Sequence, residues 1–434
     1  FLCTFSAMFC FWISAYTMNF GLVIYAVACM IGFLTGLEIP LITRINQSFE
    51  SLRENISSVM EFDYYGGLLG GALFAFVLLP FLGLTYTPVL IGSFNLLVAS
   101  LILWYFPDRL TRPRILNAQF VALFLVSVLA FAVAKPIILY GEQHKYKDKI
   151  IYQEQTRYQK IVVTQWKDDY WLFINGSTQF STYDEERYHE PLVHPLMGLI
   201  KERKDILLLG GGDGLAAREI LKYPDLENLT LVDLDPAMTR LARQDKVFLG
   251  INQGSLNDPR VRVVNQDAYQ FIKNSGDLYD AVIIDLPDPK SVSLSLLYSL
   301  GFYKMVEKHL KPFGAMVTQS TSPLYSPEAF LCIKKTMEAA GFSTIPYQNS
   351  VPSMGQWGWV LGVRQKTMPA QRLKQELLML GFADIETRFL NRDAMISMAH
   401  FGKGLFEKEA QIEPNTQFDH NIIKYYRQGN WDVY

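Results

Sequence analysis

The sequence predicts an α/β protein: a doubly wound sheet carrying a small N-terminal β-sheet cap, preceded by a domain of transmembrane helices. Three observations predict it. The stretch Ile206-Leu-Leu-Leu-Gly210-Gly-Gly-Asp213-Gly-Leu-Ala-Ala-Arg-Glu-Ile220 runs from an apolar strand through glycines into a helix, which is how such a sheet opens its nucleotide site. Further apolar runs ending in acids alternate with helical stretches downstream, as in a largely parallel sheet. Apolar residues also crowd the first 138 positions, while the remainder has ordinary soluble composition.

Five apolar stretches, near 1–17, 19–43, 64–84, 87–106 and 116–138, are read as long enough to span a bilayer, which takes about 20 residues. Gly66-Gly-Leu-Leu-Gly-Gly-Ala in the third is rich in small residues that let helices pack closely in lipid. Glu38 and Asp63 fall within or beside these spans. An ionisable group at that depth is a candidate functional site; the alternative is an interfacial position, with Glu38 paired to Arg44. The basic loop holding Arg109, Arg112 and Arg114 favours a cytoplasmic location, which one more span would convert to an external catalytic half. Lys145, Lys147 and Lys149 favour the opposite. The chain opens at Phe1 inside an apolar run and is expected to be a piece whose N-terminus is missing.

At 434 residues the chain has room for several domains. The boundaries expected are 1–138 for the membrane part, 150–183 for the cap, 184–365 for the sheet domain and 366–434 for a C-terminal extension. A net charge of −2 gives no field for nucleic acid. The four cysteines, Cys3, Cys10, Cys29 and Cys332, lack metal-type spacing and read as reduced thiols.

Tyr158–Thr164 and Tyr170–Ile174 are β-rich, the second ending in the turn pair Asn175-Gly176. Asp184 to Pro195 reads as a helix leading to the first core strand. Later strands are expected at Val261–Asn265, Tyr279–Asp285 and Ala315–Gln319. Asp213, Asp233, Asp267 and Asp285 then stand at successive strand ends, where ligands of such sheets bind. Asp233, about twenty residues past the glycine turn, is placed to grip ribose hydroxyls.

Negative charge crowded into one cleft favours cationic ligands over phosphate-rich ones. It suits a sulfonium nucleoside together with a diamine. An alkylamine attacks carbon only after losing a proton, and a carboxylate within reach can take that proton. Asp285 is the candidate base, with Asp288 and Asp213 as cation holders; Asp288-Pro289 could also be a plain turn. Tyr188 and His189 are read as lining the same substrate, where Tyr188 would donate to the reacting amine or only pack.

These residues resemble the spermidine synthase family, the polyamine aminopropyltransferases. The likeness covers about 150–365, through Tyr158-Gln159, Asp184-Glu185, Tyr188-His189-Glu190, Gly210-Gly-Gly-Asp213-Gly, Asp233-Leu-Asp235, Asp267-Ala268, Asp285…Asp288-Pro289 and Phe302-Tyr303. The apolar half resembles the family's fused, multi-span branch. The resemblance implies a Rossmann-like, methyltransferase-type sheet and aminopropyl transfer from decarboxylated S-adenosylmethionine to putrescine, giving spermidine and methylthioadenosine. It implies no metal and no tightly bound cofactor, the decarboxylated nucleoside being a co-substrate. Asp285 would accept the proton. Gln159, Asp233, Asp267 and Ala268, with Gly210, Gly211 and Gly212, would hold the donor. His189, Asp213, Asp288 and Tyr188 would hold the polyamine.

This sequence has Asp233 where the family has Glu, and Leu286-Pro287 in place of two serines. Val351-Pro-Ser-Met-Gly-Gln-Trp-Gly replaces a tyrosine-bearing segment. The tail beyond 366 suggests no chemistry. Two rival readings remain: a methyltransferase, for which Leu208 stands where an acid is common, and a non-catalytic polyamine sensor or transporter. Membrane lipid around the spans, a homodimer or higher homo-oligomer and a cytoplasmic catalytic half complete the expectations.

Overall fold

The computed structural model describes residues 5–6, 9–10, 12–13, 20–46, 51–105 and 112–431. The chain divides into two compact units, Phe1–Ile150 and Ile151–Tyr434.

The first unit is helical: α1 (Phe20–Gly36), α2 (Glu38–Asn46), α3 (Leu52–Leu73), α4 (Leu79–Tyr105) and α5 (Pro113–Gln143). Four segments among the described residues are long and apolar enough to cross a membrane: Gly21–Asn46, Leu52–Gly83, Tyr86–Tyr105 and Arg114–Val133. The stretch expected near 1–17 lies largely outside the described residues. Near 19–43 the helix is interrupted at Leu37, and the stretch expected to begin at 64 belongs to a helix starting at Leu52. A π-helical turn, Phe74–Leu78, leads α3 into α4, and Gly83, at φ +63°, kinks the chain there. Among the described residues no ion pair joins Glu38 to Arg44; they occupy the first and last turns of α2, where each charge complements the helix dipole. Asp63 is exposed on α3.

The second unit begins with a four-stranded sheet in the order β1-β2-β3-β4: β1 (Lys149–Gln155), β2 (Lys160–Trp166), β3 (Asp169–Ile174) and β4 (Ser177–Ser181). Asn175 and Gly176, both at positive φ, form the β3–β4 turn. Next come α6 (Glu186–Leu199), β5 (Asp205–Gly210), α7 (Leu215–Ile220), β6 (Asn228–Asp233), α8 (Pro236–Gln244), α9 (Lys246–Asn252), β7 (Val261–Asn265), α10 (Ala268–Asn274) and β8 (Tyr279–Asp285). The chain continues through α11 (Val292–Leu296), α12 (Leu300–Lys308), β9 (Leu310–Gln319), α13 (Pro327–Ala339), β10 (Phe342–Val351) and β11 (Gly355–Arg364). It closes with α14 (Ala370–Met379), α15 (Arg392–Met398) and α16 (Asn421–Arg427).

The large sheet runs β10-β11-β9-β8-β5-β6-β7. Five neighbouring strands, from β9 to the edge strand β7, are parallel, as the alternating pattern requires. The sheet as a whole is mixed, because β10 and β11 form a hairpin that adds antiparallel beside β9. The apolar runs of β5 and β8 are fully buried, Ile206–Leu209 and Ala281–Ile284 all at 0% exposure, because helices cover both faces.

Two prolines inside α6 explain how the hairpin docks. Pro191 and Pro195 have no N–H, so the carbonyls four residues earlier, Arg187 and Pro191, lose their helical partners. Asn349 Nδ2 donates to the first at 2.8 Å and Tyr347 Oη to the second at 2.8 Å. Both come from β10. A buried carbonyl left unmet costs about 1–3 kcal/mol, so α6 and β10 are mutually specified.

Candidate active site

The parallel strands present their carboxyl ends along one edge. Gly210 is the register partner of Asp285, and Asp233 that of Asn265; Asp267 follows β7 by two residues. Strand β5 has β6 on one side and β8 on the other, so the chain leaves it in opposite directions. That divergence opens the crevice in which ligands of doubly wound sheets bind.

Glycine is required at two points of the turn after β5. Gly210 has φ +83°, and a Cβ there would overlap the Asp285 carbonyl oxygen; a Cβ on Gly212 would overlap the Asp233 carboxylate. The bare backbone of Gly212 instead donates to Asp233 Oδ2 at 3.1 Å, while Asp235 N donates to Oδ1 at 2.9 Å. Asp233 is thereby aimed despite being one carbon shorter than glutamate. Thr156 Oγ1 reaches Asp235 Oδ2 at 2.8 Å and also accepts from Gln159 N at 3.0 Å, which brings the cap turn holding Gln159 to the same edge. Asp267 caps α10 through Gln270 N at 2.9 Å, and Ala268 begins that helix.

On the other side of the turn, Tyr188 Oη donates to Asp285 Oδ1 at 2.7 Å. The sequence offered donation to the amine or packing alone; the structure adds a hydrogen bond that orients the candidate base. Its ring is fixed against Trp359 at 5.5 Å and His189 at 5.0 Å between centroids. His189 is buried, with Nδ1 3.1 Å from Glu185 Oε2. Burial alone would lower the imidazole pKa, but Glu185, with Asp213 and Asp285, more than offsets it and raises it. Burial also opposes the charged form of Glu185, yet His189 and Arg218 hold its pKa below the usual carboxylate range. Asp213 stands at the start of α7 and accepts from Leu215 N at 2.8 Å.

Burial raises four acids of the cleft, Asp285, Asp233, Asp213 and Asp288. It pushes Asp285 up to about 6, Asp213 adding to the shift while His189 and Tyr188 oppose it. Asp233 also rises to about 6, through burial and then the charges of Asp213 and Asp235. Asp213 and Asp288 rise for the same first reason. Each of these residues is half-buried. A cation entering this cleft meets acids whose ionised forms lack full solvation, and it gains accordingly.

Three contributors were not legible in the sequence. Gln319, at the end of β9, donates to the Leu286 carbonyl and to Tyr298 Oη, each at 2.6 Å. Tyr298 Oη in turn donates to the carbonyls of Leu286 and Pro287 at 3.0 and 3.1 Å, so the Leu286-Pro287 departure is anchored. Asp288 is therefore part of a braced loop. The C-terminal extension, expected to bring no chemistry, reaches the same loop: Tyr426 Oη donates to Asp288 Oδ2 at 2.9 Å. It also supplies Arg388, which pairs with Glu185, and the backbone amides of Arg388, Phe389 and Leu390, which donate to the buried Glu190 carboxylate at 2.7, 3.0 and 2.8 Å. Sequence spacing carried no signal for pairs separated by over a hundred residues. Leu208, the position where a methyltransferase would more often place an acid, is wholly buried beneath the turn.

Residues 185–375 match the family model for the spermine/spermidine synthase domain. A polyamine aminopropyltransferase of Oceanobacillus iheyensis is 38% identical over 95% of this chain and 79% of its own length. Polyamine aminopropyltransferase 2 of Aquifex aeolicus is 41% identical over 93% and 79%. Among solved structures, a spermidine synthase in complex with the transition-state analogue AdoDATO superposes with TM-score 0.53 at 23% identity, covering 61% of this chain and 89% of that one. The spermidine synthase of Thermotoga maritima gives 0.52 at 24%, covering 61% and 88%. The fold likeness and the sequence likeness over most of the chain agree: the chain belongs to the polyamine aminopropyltransferase family.

Proposed function

We propose that this chain transfers the aminopropyl group of decarboxylated S-adenosylmethionine to putrescine, giving spermidine and methylthioadenosine, with Asp285 as proton acceptor. The observation that carries the assignment is the pairing of Asp285 with the glycine turn in register, its Oδ1 held by Tyr188. Donor and acceptor then meet at one carboxylate. Oδ2 takes a proton from the acceptor's ammonium; the freed nitrogen lone pair attacks the methylene beside the sulfonium. A C–N bond forms, the C–S bond breaks with its electrons going to sulfur, and neutral methylthioadenosine leaves. The proton on Asp285 passes to solvent. Asp233 grips the ribose, with Gln159, Asp267 and Ala268 lining the nucleoside and Asp213 favouring a donor that has lost its carboxylate. His189 and Asp288 hold the amine.

A base with a pKa near 6 works only when ionised. With decarboxylated donor and putrescine, kcat/KM is expected to rise from pH 5 through the interval near 6, where both Asp285 and Asp233 ionise, and then level. The inflection in kcat should lie lower, because bound cations favour the carboxylate. Methylthioadenosine assays across pH test both points. A product formed only from intact S-adenosylmethionine would overturn the assignment.

We further infer that the four apolar segments span a membrane as the fused branch of the family, with the catalytic unit in the cytoplasm, where the nucleoside and reduced thiols belong. Apolar side chains exposed along these helices support it, Leu22, Leu68, Phe76 and Phe81 among them, since water disfavours so continuous an apolar surface. The chain is expected to remain with membranes through an alkaline carbonate wash and to leave with detergent. Release by carbonate alone would refute spanning, and protease access only from outside would refute the cytoplasmic placement.

A further inference from the structure

The C-terminal extension ends in a segment fastened with unusual density beside the acidic loop. Asn415 is fully buried; its Nδ2 donates to the Ser295 carbonyl at 2.8 Å, its N donates to Thr336 Oγ1 at 2.9 Å, and its carbonyl accepts from Leu300 N at 2.8 Å. Ser295 Oγ lies 2.8 Å from His420 Nδ1, and Ile422 is buried at 0% exposure. These contacts set the position of α16, whose Tyr426 is 6% exposed. Past it, Trp431 packs on the Tyr426 ring at 4.6 Å between centroids and donates Nε1 to the Tyr426 carbonyl at 2.8 Å. The intervening turn needs Gly429, where a Cβ would press against the Tyr325 carbonyl at 2.8 Å. Tyr426 is thus locked by packing from below and above, with its hydroxyl on Asp288 Oδ2.

Asp288 has few other restraints. Gln319 Nε2 is 3.4 Å from its Oδ1, a long hydrogen bond, and that amide is already engaged by Leu286 and Tyr298. Without Tyr426 the carboxylate would keep only that long contact and the pull of Lys290 and the Thr321 hydroxyl. A diamine held at both ends must span a fixed distance, from the proton acceptor Asp285 to whichever carboxylate grips its far ammonium. A rotating far carboxylate accepts several lengths; a fixed one selects.

We propose that Tyr426 is a positioning and specificity-determining residue: by fixing Asp288, the C-terminal extension sets where the distal ammonium of the acceptor docks and hence which diamine length is used. This rests on the aminopropyl-transfer reading above, and it adds a part of the chain outside the matched domain to the acceptor site. Tyr426 acts through Asp288 and touches no reacting atom.

The test uses the full chain in detergent, with decarboxylated donor and 1,3-diaminopropane, 1,4-diaminobutane or 1,5-diaminopentane. Tyr426→Phe keeps the ring and its packing. It is expected to raise the KM for the preferred diamine about 10- to 100-fold, the loss typical of one hydrogen bond to a charged group. The change in kcat should be much smaller, the donor KM should be unaltered, and kcat/KM for the three lengths should converge. In an Asp288→Asn background the same change should add little, since coupled residues are not additive. Unchanged length preference, additive effects of the two substitutions, or equal loss of methylthioadenosine binding in Tyr426→Phe would each overturn the proposal. A parent chain that makes no methylthioadenosine with any diamine would refute the aminopropyl-transfer reading itself. An active parent with an indifferent variant would refute this inference alone.

Discussion

Asp285→Asn is expected to lower turnover by about 10²- to 10⁴-fold, the usual contribution of a positioned general base, while methylthioadenosine still binds. The replacement is nearly isosteric, and its Oδ1 can still accept from Tyr188, so the geometry should persist. The same variant should be more heat-stable than its parent at pH 8. The folded-state pKa of Asp285 is raised to about 6, above the roughly 3.9 of an unfolded chain. Between those values the folded state binds more protons, so stability falls as pH rises through the interval. The penalty is complete above about pH 6 and absent below about pH 4. Asparagine removes it, so the gain in thermal midpoint should shrink to nothing in acid. Stopped-assay turnover and thermal scans at both pH values check the pair. Retention of full cellular polyamine function by this variant would instead favour a binding-only sensor.

Gly210→Ala should be the most damaging single methyl in the catalytic unit. The residue sits at φ +83°, and the added carbon would overlap the backbone oxygen of Asp285, which no rotamer change can relieve. Strain at such a position costs about 1–3 kcal/mol alone, and forced separation of two paired strands adds a similar amount. A thermal midpoint lower by roughly 4–24 °C is expected. A loss of about 10²-fold in kcat/KM should accompany it, because the donor turn and the base would part. Gly211→Ala is the control. Its φ is +66°, yet its Cβ would meet only the flexible Leu208 side chain at 3.2 Å, so its effect should be milder. Equal tolerance of both substitutions would show that the close approach of β5 and β8 is unimportant.

The legible part of the site was the part written locally. Ile206–Gly210 reads as a buried strand ending in glycine because its run is apolar and its turn is bare; Tyr279–Asp285 reads likewise, and both were placed with their acids at the right edge. The hairpin of β10 and β11 was not legible. β10 carries Pro346, Gln348 and Asn349, and β11 is interrupted by Gly358 and Gly362. Their reasons lie elsewhere in the fold. A Cβ on Gly358 would strike the ring of Phe330, and one on Gly362 would stand 2.9 Å from Met337, so α13 lies too close for side chains. The polar residues of β10 answer carbonyls opened by prolines over 150 positions earlier. Tyr426 was silent for the same reason: a tyrosine in a short helix has no local mark that it will meet Asp288.

Glu190 sets where this protein can be cut. Its carboxylate lies in the interior, hydrogen-bonded by three successive amides from residues 388–390, whereas the matched synthase domain stops at 375. An excision at that apparent boundary would strand a buried carboxyl group without its hydrogen-bond donors, a defect worth about 1–3 kcal/mol or more. The smallest autonomous catalytic piece of this chain must therefore extend past the limits that similarity draws around it.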